Sequence, residues 1–180
     1  NILTNVLVRN PEKARELCDE VEKNGGRVIV GDVTQPETIK DCTKDIHTVI
    51  SPLMGDEKTV VDGQIALLED GLKNGIKRFV PADFCIPYTH LNADEKVFFK
   101  NRIKFREYLE KTNVKGLHVF NGVFMETYFW LQSKGFHYWQ DIDQKLNMTT
   151  YDDVALFLVN AIADENRVGD LRISGDYIST

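Results

Sequence analysis

Arg9 follows the run Val6-Leu7-Val8 at the point where a strand gives way to a loop, and a cation there has a specific use. At the end of the second strand of a dinucleotide-binding sheet, a carboxylate accepts hydrogen bonds from a ribose 2'-hydroxyl, whereas an arginine accommodates a 2'-phosphate. Arg9 therefore points to NADP(H) over NAD(H); the competing reading is a solvated surface arginine. Gln64 is the lone polar residue on an apolar helical face and reads either as a site contact or as an exposed helical glutamine. His47, His90 and His137 form no cluster with Asp or Cys, which argues against a metal site. His118 falls within a predicted strand and reads as a packed core histidine rather than a catalyst. Cys18, Cys42 and Cys85 make no CxxC pair and, being odd in number, no closed disulfide framework, so they are expected reduced in an intracellular protein.

The elements that must carry these residues alternate short β-branched runs with longer amphipathic segments, the pattern of a parallel sheet with helical crossovers. Val6-Leu7-Val8 is the first such run, and Pro11 opens a helix over Glu12 to Lys23 that ends at Gly25-Gly26. Arg27 to Val30 is expected as a buried strand, followed by a helix starting near Pro36 and a strand at Thr48-Val49-Ile50. A helix over Lys58 to Asn74 with Gly75 as C-cap leads to the strand Arg78-Phe79-Val80. Further helices are expected over Lys96 to Lys111 and Thr150 to Ala163, with strands at Leu117 to Phe120 and Leu171 to Ile173.

The chain of 180 residues is 42% hydrophobic, enough for one domain with a real core. Its net charge of -6, with no basic stripe, makes nucleic acid and anionic lipid poor partners. No run reaches the roughly 18 apolar residues of a membrane helix. The opening Asn1-Ile2-Leu3-Thr4 has no signal-peptide character, so a cytoplasmic location is expected. A doubly wound domain opens on a strand and a glycine-rich turn ahead of a helix. Gly25-Gly26 has the opposite polarity, a plain turn between helix and strand. The expectation is an α/β Rossmann-type doubly wound parallel sheet lacking the first strand and the glycine-rich loop.

The run Val6-Leu7-Val8-Arg9-Asn10-Pro11-Glu12-Lys13-Ala14, then Gly31-Asp32-Val33, Val49-Ile50-Ser51, Gln64 and Lys77-Arg78-Phe79-Val80-Pro81-Ala82-Asp83-Phe84, resembles the NmrA-like and isoflavone-reductase-like proteins, atypical short-chain dehydrogenase/reductases. The resemblance continues through Arg106 to Lys111, Asn121-Gly122-Val123-Phe124-Met125-Glu126 and Asp143 to Asp153, nearly the whole chain in order. It implies a nucleotide-binding domain over 1–122 and part of a small C-terminal substrate-cleft region over 123–180. For the cofactor it implies Arg9 with Asn10 and Lys13 at the 2'-phosphate, and Asp32-Val33 at the adenine, although Asp32 also suits a turn cap. Ser51-Pro52-Leu53, Pro81-Ala82-Asp83-Phe84 and Asn121 are implied at the phosphates, ribose and nicotinamide. Phe124 and Tyr128 begin an aromatic segment that resembles the lining of the family's substrate cleft.

Catalysis departs from the family. The classical proton donor is a tyrosine with a lysine four positions on; here Tyr88 is followed at that spacing by Asn92, and Tyr138 by Ile142. In the reductase branch a helix lysine is the acid/base group, and that position holds Arg102, which keeps its proton near neutrality. Lys100 and Lys104 flank it but point about 100° to either side per residue step, so each is read against an exposed surface lysine. In the family's turn after the aromatic segment, both glycines are replaced, by Gln140 and Ile142. Two functions follow from the resemblance: an NADPH-dependent oxidoreductase acting on a small apolar carbonyl or alkene, or a non-catalytic NADP(H)-sensing regulator that acts through a protein partner. Both leave the oligomeric state open, a homodimer included.

Overall fold

Short β-branched runs cut off by Arg-Asn-Pro, Gly-Asp or Ser-Pro make strands of three residues in the first half of the chain. The computed structural model describes residues 2–91, 99–135 and 145–179. Strand β1 (Val6–Val8) leads through a 3-10 turn bounded by Pro11 into helix α1 (Arg15–Lys23), and β2 (Val28–Val30) returns parallel to β1 with Leu7 opposite Ile29. Then come β3 (Thr48–Ile50), α2 (Gly63–Asn74), β4 (Arg78–Val80), α3 (Lys100–Leu109) and β5 (Lys115–Phe120). Gly75, with φ of 79°, closes α2 in the left-handed conformation expected of it. After β5 follow β6 (Val123–Phe124), α4 (Met125–Gln132), β7 (Lys145–Thr149), α5 (Tyr151–Ala163), β8 (Gly169–Arg172) and β9 (Asp176–Ser179).

Strands β3, β4, β5 and β8 form a parallel sheet in that order, so the chain beyond residue 122 returns a strand to the main sheet. β7 pairs parallel with β6 and antiparallel with β9 in a separate small sheet. Side chains alternate across β4: Phe79 faces Leu67, Leu68, Phe105 and Leu109 from α2 and α3, and Val80 faces Val154, Leu158 and Ala161 of α5. Leu7 and Ile29 pack on the same cluster as Phe79, so the β1–β2 pair shares a core with the larger sheet although no strand pairing joins the two among the described residues. The result is the Rossmann-type α/β architecture expected, with helices on both faces of a parallel sheet.

Several sequence expectations are corrected. The segment at Pro36 is one 3-10 turn to Ile39, because Thr38 bonds back to Gln35 and Asp32 instead of continuing a helix. The strand at Arg27 to Val30 starts at Val28 and is not buried: Val30 is 58% exposed, since the β1–β2 pair is covered incompletely. The first residues assigned to the helix at Lys96 lie outside the described residues, as do His137, Tyr138 and the turn at Gln140 and Ile142. The short strands β6, β7 and β9 carry no β-branched run strong enough to announce them.

Two buried polar groups stitch these layers together. The guanidinium of Arg78 donates to the carbonyls of Ile162 and Asp164, satisfying the open end of α5 from within the sheet. Asp70 on α2 accepts from the backbone amides of Asp41 (2.8 Å) and Thr43 (3.0 Å) and from the Thr43 hydroxyl (2.6 Å), holding the 36–45 segment against the helix. Burial raises the Asp70 pKa, but these bonds outweigh it and hold the carboxyl below its ordinary value. A carboxylate depressed in the folded state stabilises the fold fully above its unfolded pKa of about 3.9 and loses that contribution as pH falls. Urea midpoints measured between about pH 6 and pH 2 are therefore expected to decline at the acid end more steeply in the wild type than in Asp70→Asn; parallel curves would refute the assignment.

Candidate functional site

In the β1–β2 pair and in the four-stranded sheet the strands run parallel, so the residues that follow them share one edge. Arg9 and Asp32 follow β1 and β2; Ser51, Pro81 and Asn121 follow β3, β4 and β5. Val33 links the two edges by packing on Gly63 at the start of α2, where an added Cβ would lie 2.7 Å from Val33 Cγ2. Arg9, Asn10 and Lys13 are exposed, and Asn10 Oδ1 accepts the Lys13 amide at 3.2 Å. Asp32 Oδ1 accepts both the amide and the hydroxyl of Thr34 at 2.8 Å, which realises the turn-cap reading at that oxygen. These bonds first, and the charges of Arg9 and Lys58 after them, hold the Asp32 carboxyl below its usual value.

Deeper along the edge, Ser51 and Asn121 are 1% and 0% exposed, yet Ser51 Oγ and both amide atoms of Asn121 have no hydrogen-bond partner among the described residues. Buried polar groups are rarely left so, and these atoms mark where a bound molecule or ordered water would supply the missing bonds. Pro52 is exposed, and Leu53 packs on the core cluster beneath. Pro81 and Ala82 are buried, and Phe84 takes the left-handed region at φ of 33°, a conformation that non-glycine residues adopt rarely and often at functional turns.

The structure overturns the exposed reading of Gln64. It is buried, its amide donates to the carbonyl of Val60, and its oxygen accepts the backbone amide of Ala82 at 2.8 Å. Its side chain ties α2 to the turn after β4. Arg102 reaches the same turn from α3, its Nε shared between the carbonyls of Ala82 and Asp83 at 3.1 Å each. Lys100 is exposed, and Lys104 pairs at the surface with Glu57 at 2.7 Å.

Sequence reasoning missed what lies under this turn. Asp83 Oδ2 meets His118 Nδ1 at 2.6 Å, and Asp83 Oδ1 accepts the Tyr88 hydroxyl at 2.8 Å; all three side chains are buried. Its carboxylate is thus turned into the core, and only its backbone faces Arg102. Burial first, then the Asp83 charge and the hydrogen bond to it, push the Tyr88 phenol well above its usual pKa, which leaves it a poor proton donor. Burial likewise raises the Cys85 thiol to about 12, so it is not a ready nucleophile. The network joins the 83–88 segment to His118 on β5, 35 residues on from Asp83 and with no shared motif, and only the expectation of a packed His118 hinted at it. Phe124 packs on the second core cluster and lies against Tyr151 with ring centroids 4.3 Å apart, and Tyr128 is buried edge-on to Phe129. No group of three or more His, Cys, Asp or Glu side chains able to hold a metal occurs among the described residues, and no described helix is long and apolar enough to cross a membrane.

A parallel sheet with polar residues and Arg9 gathered along its carboxyl edge is a Rossmann-type α/β fold. Comparison with known proteins narrows this: the model of the NmrA-like family matches residues 1–179, and the chain belongs to that family. An isoflavone reductase homolog of Nicotiana tabacum is 26% identical over 114 residues, covering 62% of this chain and 36% of that protein. The bifunctional pinoresinol-lariciresinol reductase 2 of Thuja plicata is 28% identical over 123 residues, 66% of this chain and 39% of that protein. The chain thus spans little more than a third of these relatives. Among solved structures, isoflavone reductase superposes with a TM-score of 0.76 at 23% identity, over 98% of this chain and 64% of that one. The complex of leucoanthocyanidin reductase with NADPH from Vitis vinifera gives 0.74 at 18% identity, over 98% and 62%.

Proposed function

We propose that residues 1–122 bind NADP(H), in preference to NAD(H), as part of an oxidoreductase that reduces a small apolar carbonyl or alkene, with 123–180, including Phe124 and Tyr128, shaping the substrate side. The observation that carries this reading is the exposed Arg9 at the end of β1 in a chain of this family, where its guanidinium suits a 2'-phosphate. Asn10 and Lys13 stand beside it, and Asp32 and Val33 serve the adenine. Ser51, Pro52 and Leu53, the 81–84 turn and Asn121 meet the phosphates, ribose and nicotinamide, which fits the unpartnered Ser51 and Asn121 side chains. Reduced nicotinamide supplies a hydride when bound. The chain's own part is to bind and orient: Arg102, at the position where the reductase branch has a lysine, holds the 81–84 backbone through the Ala82 and Asp83 carbonyls.

That same arginine favours a second reading, a non-catalytic NADP(H) sensor that passes cofactor occupancy to a protein partner. Calorimetric titration of the full-length protein tests the shared core. NADPH is expected to bind well ahead of NADH, and Arg9→Ala is expected to weaken NADPH by about 10- to 100-fold while leaving NADH little changed. Failure of either dinucleotide to bind would overturn both readings. NADPH oxidation in the presence of apolar enones then separates them, since a sensor binds without turnover.

A further inference from the structure

Beside Asn121 at the end of β5, a cavity of about 520 Å³ opens toward the end of β8 and the β7–β9 ribbon. Its walls include Phe120, Val123, Ile173 and Tyr177, and its rim carries Lys145 and Arg172. Among the described residues no carboxylate lines it, although the chain as a whole carries a net charge of -6. Local cations in an acidic protein select anions only where the geometry concentrates them, and apolar walls strengthen that selection by lowering the effective dielectric. The Lys145 ammonium lies 5.7 Å from the centre of the Tyr177 ring, and Arg172 Nη2 donates to His90 Nε2 at 2.7 Å, so both cations are held at the cavity by neighbours that bring no negative charge. The volume falls within the range of small-molecule sites, and the wall composition suits a ring system.

We infer that this cavity binds a small aromatic molecule bearing one anionic head group, an aryl carboxylate being the simplest, with the head between Lys145 and Arg172 and the ring against Tyr177 and Ile173. The site lies largely in the 123–180 region that the proposed function gives to the substrate side, and it deepens that reading. It is tested without nucleotide by titrating the full-length protein with 2-naphthoate and with the uncharged 2-naphthamide, by calorimetry. The expected result is saturable naphthoate binding about tenfold or more tighter than that of the amide. In the double variant K145Q/R172Q, naphthoate is expected to fall to the level of the amide, with the amide unchanged. Both side chains are exposed, so the fold should survive; K145Q alone, expected to give part of the loss, covers the case in which the double variant does not fold. Equal binding of the acid and the amide, an unaltered naphthoate affinity in the variants, or no saturable naphthoate binding would each overturn the proposal.

Discussion

Asp83→Ala is expected to destabilise the fold by about 3 to 5 kcal/mol, a fall of about 10 °C in melting temperature for a chain of this size. The carboxylate holds His118 at 2.6 Å and Tyr88 at 2.8 Å inside the protein, and its loss leaves an imidazole and a phenol buried with nothing to replace water. An unpaired buried donor costs its full desolvation, which exceeds the net gain of the bond it once made. The effect should be strongly coupled. Once Asp83 is alanine, removing His118 as well should cost far less than removing His118 from the wild type, because the partners fail together. Additive losses in that double-mutant cycle would mean that the three side chains act separately. The position also ties stability to the candidate site, since the backbone of the same residue accepts Arg102.

Gly122→Ala is the second large effect, expected at about 3 kcal/mol or more. Gly122 has φ of +71°, where a side chain is strained, and an added Cβ would lie 2.1 Å from the carbonyl oxygen of Asn147 on β7. Backbone on both sides leaves nothing flexible to yield. Relief requires β7 to separate from the chain leaving β5, which would break the bond from the Thr149 hydroxyl to the Asn121 carbonyl at 2.8 Å. Urea denaturation should show the loss, and hydrogen exchange should rise first at β6 and β7. A variant as stable as the wild type would show that this crossing can relax.

Most of the parallel α/β architecture was legible because it is written in periodicities that are local. Thr48-Val49-Ile50 and Arg78-Phe79-Val80 became the strands expected of them, and Gly75 the expected left-handed cap, since strand propensity, helical stripe and turn chemistry each need only near neighbours. The Pro36 segment failed on the same ground in reverse, as Thr38 and Asp32 offered the backbone bonds that compete with a helix. For the candidate site, position along the chain identified which residues follow the strands, and so Arg9 as an exposed cation at the end of β1.

Direction and partnership were decided by tertiary structure alone. Gln64, Asp83 and Arg102 stand in the sequence as three polar residues of similar promise. Packing commits the first to the Ala82 amide, turns the carboxylate of the second toward His118 and Tyr88, and lays the third across the Ala82 and Asp83 carbonyls. Apart from Tyr88, five residues from Asp83, these commitments depend on groups 18 to 35 residues away, which no local pattern encodes, and on burial, which makes an unmet polar atom costly enough to fix where each side chain points.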